Sequence, residues 1–185
     1  MPEDLGTIIY MDWELDFLHF LQTIHTPQLD KAMLFFTGLG DRFIPIIIFL
    51  LVLIIFPKTR KYGVPMAIAT AISYLIVNIG IKPFIMRCRP CWLEPEVPLL
   101  IPCPQDYSFP SGHTNAFFAM ATAINLKNKK LGAPALLIAS LIAFSRLYLF
   151  VHWPTDVIGG MITGILSGNI GYRIANPLAG LFKKK

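Results

Sequence analysis

Charge is what this chain has least of. Only 15% of its 185 residues are Asp, Glu, Lys or Arg, against 55% hydrophobic, and the mean hydropathy is +0.59. A soluble domain of this length needs more charge to cover its surface, so the composition points to an integral membrane protein. Polar linkers, low-complexity tracts and internal repeats are missing, and one domain over residues 1–185 is the natural reading. Near the start, Glu3 and Asp4 stand where a secretory leader has a basic stretch and an apolar run, so insertion is expected to rest on the spans themselves. The net charge of +5 is no argument for nucleic acid here, because its distribution matters more than its sum.

Apolar stretches run from Phe43 to Phe56, Tyr62 to Ile81, His113 to Leu126, Leu131 to Val151 and Val157 to Ile174. Crossing a bilayer takes about 20 helical residues, so the first and third must borrow flanking turns or lie in a thin region. Lys58-Thr59-Arg60-Lys61, Lys127-Asn128-Lys129-Lys130 and the tail Lys183-Lys184-Lys185 carry no acid, and read as cytoplasmic loops and tail. Five spans satisfy that assignment, with the N-terminus outside and the C-terminus inside. All eleven Asp and Glu residues then fall outside or at outer span ends. The expected fold is an all-α polytopic membrane bundle of five to six transmembrane helices in the cell membrane.

Residues 12–41 form the N-terminal part of that expectation. Leu15, Phe17, Leu18, Leu21 and Ile24 recur at helical spacing, interrupted by Asp16, His19, His25, Asp30 and Lys31. The pattern suits one or two amphipathic interfacial helices, separated at Pro27. A sixth span beginning near Leu29 is the rival, and His19 and His25 read as surface residues.

Cysteine is also scarce: Cys88, Cys91 and Cys103 all lie in or beside one outer loop. A Cys91–Cys103 disulfide, a zinc site and three thiols stand as alternatives. Pro95, Pro98, Pro102 and Pro104 hold the loop out of helix, which suits a lid or a substrate rim.

Against this apolar background three clusters stand out: Lys82 to Pro90 (KPFIMRCRP), Phe109 to His113 (FPSGH) and Ser145 to Asp156 (SRLYLFVHWPTD). A lone Lys or Arg at a span end is usually a snorkelling anchor. Three clusters on one membrane face, two of them with a histidine, argue otherwise. Phosphoryl transfer needs positive donors around the equatorial oxygens. Lys82 supplies a point charge, and Arg89 and Arg146 supply bidentate forks. Ser111 and Gly112 open a helix whose N–H groups face an anion. His152 lies four residues before Asp156, which can fix its tautomer and make the ring a nucleophile. His113, with no acid near it in sequence, fits a protonated donor to the leaving oxygen.

Lys82-x6-Arg89-Pro90, Pro110-Ser111-Gly112-His113 and Ser145-Arg146-x5-His152-x3-Asp156 together resemble the type 2 phosphatidic acid phosphatase superfamily, in its membrane branch. The resemblance covers residues 82–156. It implies a helical membrane bundle, often of six spans, with no metal or other cofactor. It implies that His152 attacks phosphorus, Asp156 orients it and His113 protonates the leaving group. Lys82, Arg89, Ser111, Gly112 and Arg146 would hold the phosphoryl oxygens. The expected substrate is a phosphorylated lipid at the extracytoplasmic face, undecaprenyl pyrophosphate ahead of phosphatidylglycerophosphate or phosphatidic acid. Glu94, Glu96 and Asp106 make the loop acidic, which counts against a second phosphate. A vanadium haloperoxidase shares the motifs, but its relatives are larger and soluble. A lipid-binding protein without turnover has no need of both histidines. Gly159, Gly160, Gly164 and Gly168 make a stripe for close helix packing, expected inside a monomer.

Overall fold

The computed structural model describes residues 7–41 and 43–181. Glu3, Asp4 and the tail Lys183, Lys184 and Lys185, which entered the orientation argument, lie outside the described residues. Helices follow in the order α1 (Asp12–Thr23), α2 (Pro27–Gly38), α3 (Phe43–Ile55) and α4 (Pro57–Tyr74). A π-helical stretch, Leu75–Ile81, continues α4 into the short α5 (Lys82–Ile85). Then come α6 (Pro90–Leu93), α7 (Gly112–Lys127), α8 (Lys129–Tyr148) and α9 (Pro154–Leu181). Among the described residues no strand forms beyond a single bridge pair, Thr7 with Arg87.

Local chemistry sets the boundaries. Thr26 accepts from the Leu29 N–H at 3.3 Å and Pro27 occupies the first helical turn, so the chain breaks where Pro27 was expected to break it. The two basic segments are not loops. Lys58 to Lys61 form the first turn of α4, and only Asn128 separates α7 from α8, accepting from the Lys130 N–H at 2.9 Å. A proline start and an asparagine cap need no longer connection than that. Tyr62 and Asn128 meet at 3.4 Å, so both basic turns do lie at one end of the bundle.

Among the described residues, two helical runs are long and apolar enough to cross a membrane: 29 residues from Pro57 to Ile85, and 20 from Lys129 to Tyr148. With 13 and 16 residues, α3 and α7 fall short of a full crossing. Outward faces of α3 and α9 are nonetheless apolar, with Ile44, Ile48, Leu51, Ile162, Leu166 and Ile170 all exposed. A water-facing protein does not expose so continuous an apolar surface.

At the centre stands α7, packed against α9, α8 and α4. The glycine stripe makes its contact with α9 possible. A Cβ on Gly160, Gly164 or Gly168 would lie 2.5–2.7 Å from backbone oxygens of Ser111, Asn115 and Ala119. The stripe therefore packs within the chain, not only in principle but against the helix that carries His113.

The N-terminal helices dock on protein. Leu18 and Leu21 are buried in one core with Tyr148, Phe150 and Trp153. His19 is exposed and His25 half-buried, and both make contacts. His19 contacts Glu94 at 2.6 Å and stacks on Phe150, and His25 stacks on Tyr148 with ring centroids 4.0 Å apart. The apolar residues Leu18 and Leu21 of α1 thus pack on the bundle.

Candidate active site

Three chain reversals bring the clusters together. The π-helical stretch delivers Lys82, and α5 ends when Met86 turns left-handed at φ 46°. Arg87 to Arg89 then run extended, held by hydrogen bonds between Thr7 and residues 86 and 88. Alternation along that segment turns Cys88 away and leaves Arg87 and Arg89 on one side. Arg146 sits in the last turn of α8, and a second left-handed residue, Phe150 at φ 58°, bends the chain so that His152 returns beneath it. Ser111 starts α7 by accepting from Thr114.

Lys82, Arg89, Asp106, His113, Arg146 and His152 meet at the polar end of a cavity of about 1030 Å³. Its other end is apolar, formed by Ile46, Leu50, Ala67, Ala71 and Leu75 from α3, α4 and the π stretch. Gly112 lines the polar end as well. Ser111 and Asp156 are fully buried behind it, where Ser111 caps α7 and its N–H donates to the Asp156 carbonyl at 3.0 Å.

His152 has a defined tautomer. An Arg89 Nη1 donor lies 3.1 Å from its Nε2, and a guanidinium cannot accept, so Nε2 presents its lone pair. Nδ1–H therefore faces Asp156 Oδ2 at 3.3 Å, while the same oxygen accepts from the Trp153 N–H at 2.8 Å. Burial, reinforced by Arg89, Arg146 and Lys82, holds the His152 ring well below the ordinary imidazole range. A neutral ring with an outward lone pair is the form that attacks an electrophile.

Buried cations need counter-charge. Asp106 supplies it to Lys82, to which it is ion-paired, and to Arg89 Nη2 at 2.8 Å. Burial pushes the Asp106 carboxyl up, but Arg89 and Lys82 outweigh that and hold it at about 2. Arg89 is further fixed by the carbonyls of Asp106 and Val151, both at 2.6 Å. Arg146 donates to Thr37 and stands 3.5 Å from Asp41, while its Nε is buried without a partner among the described residues. An anion with several acceptor oxygens would satisfy that nitrogen.

His113 is not without an acid. Asp41, in the turn after α2, lies 3.0 Å from its Nε2. Burial raises the Asp41 carboxyl, but the His113 hydrogen bond and the charges of His113 and Arg146 bring it below the ordinary value. Arg87, unremarked within the first cluster, donates to Asp156 at 2.6 Å and to Glu14 at 2.8 Å. Asp41, Thr37 and Glu14 come from segments with no motif of their own; only Arg87, two residues from Arg89, carried a signal. Cys91 and Cys103 are joined by a disulfide with Cα atoms 6.1 Å apart, which uses two of the thiols a zinc site there would need. Cys88 is buried. The bridge closes the loop that presents Asp106.

Comparisons with known proteins agree with this geometry. A family model described as the PAP2 superfamily matches residues 62–178, which contain all three clusters. Undecaprenyl-diphosphatase BcrC of Bacillus subtilis is 33% identical over 154 residues, covering 83% of this chain and 79% of that protein. Lipid A 4'-phosphatase of Bacteroides thetaiotaomicron is 28% identical over 180 residues, covering 90% and 79%. The crystal structure of Aquifex aeolicus LpxE superposes with a TM-score of 0.78 at 30% identity, over 90% of this chain and 99% of that one. A PAP2-type phosphatidylglycerolphosphate phosphatase of Bacillus subtilis gives 0.70 at 25% identity, over 89% and 85%. With its motifs gathered on one cavity and its matched region spanning them, the chain belongs to the PAP2 superfamily.

Proposed function

We propose that this protein is a membrane lipid phosphatase acting at the extracytoplasmic face, with undecaprenyl pyrophosphate as substrate. One observation carries the reading: a neutral, oriented His152 faces a cavity whose polar end holds three buried cations and a second histidine. Its apolar end accepts the start of a lipid chain. The placement outside the cytoplasm rests on the basic turns at the opposite end of the bundle. Similarity to a protein named undecaprenyl-diphosphatase over most of both chains supports the substrate.

The terminal phosphoryl group enters against Lys82, Arg89 and Arg146 and displaces the Asp106 carboxylate. Arg89 moves its Nη1 from His152 to a phosphoryl oxygen, which frees the Nε2 lone pair. Nε2 then bonds to phosphorus as the bond to the leaving oxygen breaks. Asp156 stabilises the imidazolium character that develops on His152. His113 protonates the leaving oxygen. Water, giving its proton back to His113, then cleaves the phosphohistidine and releases inorganic phosphate.

Phosphate release by the purified protein in micelles tests this, with EDTA present. The panel is undecaprenyl pyrophosphate, phosphatidylglycerophosphate and phosphatidic acid. Turnover in EDTA, fastest on the pyrophosphate, is expected. Faster turnover of phosphatidylglycerophosphate would overturn the substrate, and loss of all activity in EDTA would overturn the metal-free mechanism.

A further inference from the structure

The turn between α2 and α3 is built around the His113 ring. Asp41 Oδ1 lies 3.0 Å from Nε2 of His113. One residue earlier, a Cβ on Gly40 would lie 2.4 Å from His113 Cδ2 and 3.0 Å from the Phe117 ring, so only glycine lets the turn approach so closely. Thr37, one turn back on α2, can donate its hydroxyl to the same Asp41 oxygen at 3.5 Å and accepts from Arg146. The N-terminal segment thus holds one histidine and one cation of the cavity. The arrangement parallels the other histidine with the nitrogens exchanged: Asp156 takes Nδ1 of His152, and Asp41 takes Nε2 of His113.

We propose that Asp41 is a positioning residue for proton transfer, fixing the His113 ring through Nε2–H so that Nδ1 carries the proton given to the leaving oxygen. The inference rests on the phosphatase reading above and adds a residue and a tautomer to it. As the His152 Nε2–phosphorus bond forms and the phosphorus–oxygen bond breaks, the leaving oxygen takes the Nδ1 proton. His113 is left neutral with Nε2–H still donating to Asp41. Attacking water returns a proton to Nδ1 as the phosphohistidine opens. An anionic carboxylate favours the charged ring that starts this cycle. The groups facing His113 from neighbouring elements are Asp41 on one side and Arg146 and Arg89 on the other, so Asp41 is its one counter-charge among those three.

The test compares two phosphomonoesters sharing one lipid chain, one with an alkyl and one with a nitrophenyl leaving group. A nitrophenolate leaves without a proton. General-acid assistance is worth about 10²–10⁴-fold in such reactions, so Asp41→Asn should lower kcat/KM for the alkyl ester at least tenfold and change the aryl ester little. Asp41→Glu should restore part of the difference. Gly40→Ala, which pushes on the ring and leaves the carboxylate in place, should give the same leaving-group split. Equal losses on both esters in Asp41→Asn would overturn the proposal and indicate that Asp41 only balances Arg146. A readout without turnover separates this from the phosphatase reading: 15N spectra of histidine-labelled protein in micelles. At a pH where the ring is neutral, His113 should show Nε2–H in the wild type and lose that preference in Asp41→Asn. The same spectrum in both proteins would overturn the role of Asp41 even if phosphate release is confirmed. A phosphatase that fails the lipid panel would sink the parent reading alone.

Discussion

Glu14 and Arg87, 73 residues apart in sequence, meet at 2.8 Å in the interior, with Glu14 fully shielded from solvent. The other carboxylate oxygen of Glu14 accepts from Thr155 at 2.6 Å, beside Asp156. Arg87 thereby links α1 to Asp156, the carboxylate 3.3 Å from His152 Nδ1.

Removing one partner of a buried ion pair strands the other. Glu14→Ala should destabilise the protein by roughly 3 kcal/mol, since breaking such pairs costs about 3–5. Thermal unfolding in micelles should register it as a clear drop in midpoint. Glu14→Gln, which keeps the shape and one accepting oxygen, should lose less.

The proposed nucleophile and its acid should fail to different degrees. His152→Ala should abolish phosphate release and remove an acid-labile phosphoenzyme seen on brief incubation with labelled substrate. Asp156→Asn keeps the ring but removes the charge that selects its tautomer, and should cost about 10⁴-fold by analogy with triad acids.

Asp106 makes a statement about pH. Its folded-state value is depressed from 3.8 to about 2. A depressed carboxylate contributes stability that is complete above its unfolded value and fades as pH falls through the folded one. Its pairs with Lys82 and Arg89 therefore persist from neutral pH down to about 2. The acid limb of activity between roughly pH 4 and 7 should come from other groups, and Asp106→Asn should leave that limb unmoved in a pH–rate profile. Inhibition by inorganic phosphate should tighten in the same variant, because the clamp loses a resident competitor.

Closing a loop of about 13 residues by a disulfide is worth about 3 kcal/mol in the chain-entropy picture. Cys91→Ser with Cys103→Ser should lower the unfolding midpoint, and reductant should do the same to the wild type but nothing further to the double variant. KM should rise, since Ile101 and Pro102 of the bridged loop line the cavity.

Gly164→Leu should be among the most damaging single changes on α9. A Cβ there would sit 2.5 Å from the Asn115 carbonyl oxygen, and that helix pair cannot separate without moving His113. Overpacking costs of about 1–3 kcal/mol are usual, and here activity should fall as well. Circular dichroism melts and phosphate release measure the two effects.

The parts of this site that were legible in the sequence are the parts that are local. Lys82 and Arg89 are seven residues apart along one segment, and His152 and Asp156 are one helical turn apart, so spacing alone reported their partnership. Pro27 marked a helix start because a proline does so by its own geometry. Cys91 and Cys103 were one of three alternatives, and folding chose among them. What spacing hid were the counter-charges. Asp41 reaches His113 across 72 residues, Thr37 reaches Arg146 across 109, and Glu14 reaches Thr155 across 141. Those three lie on short helices or turns whose amphipathic pattern announced only a buried face. The basic segments misled for a related reason: their charge does not say that a proline and an asparagine fold two of them into helix.

The π-helical stretch from Leu75 to Ile81 has a further consequence. An α-helix turns about 100° per residue, so the wider winding sets the angular phase of everything after it. Rewind those seven residues as ordinary α-helix, with none lost, and Lys82 would swing by roughly a third of a turn about the helix axis. Every letter of the three motifs would survive such a rewinding, in order and at the same spacing. A reader of the gene would see an intact phosphatase, while the bilayer would hold a bundle whose clamp no longer closes on anything.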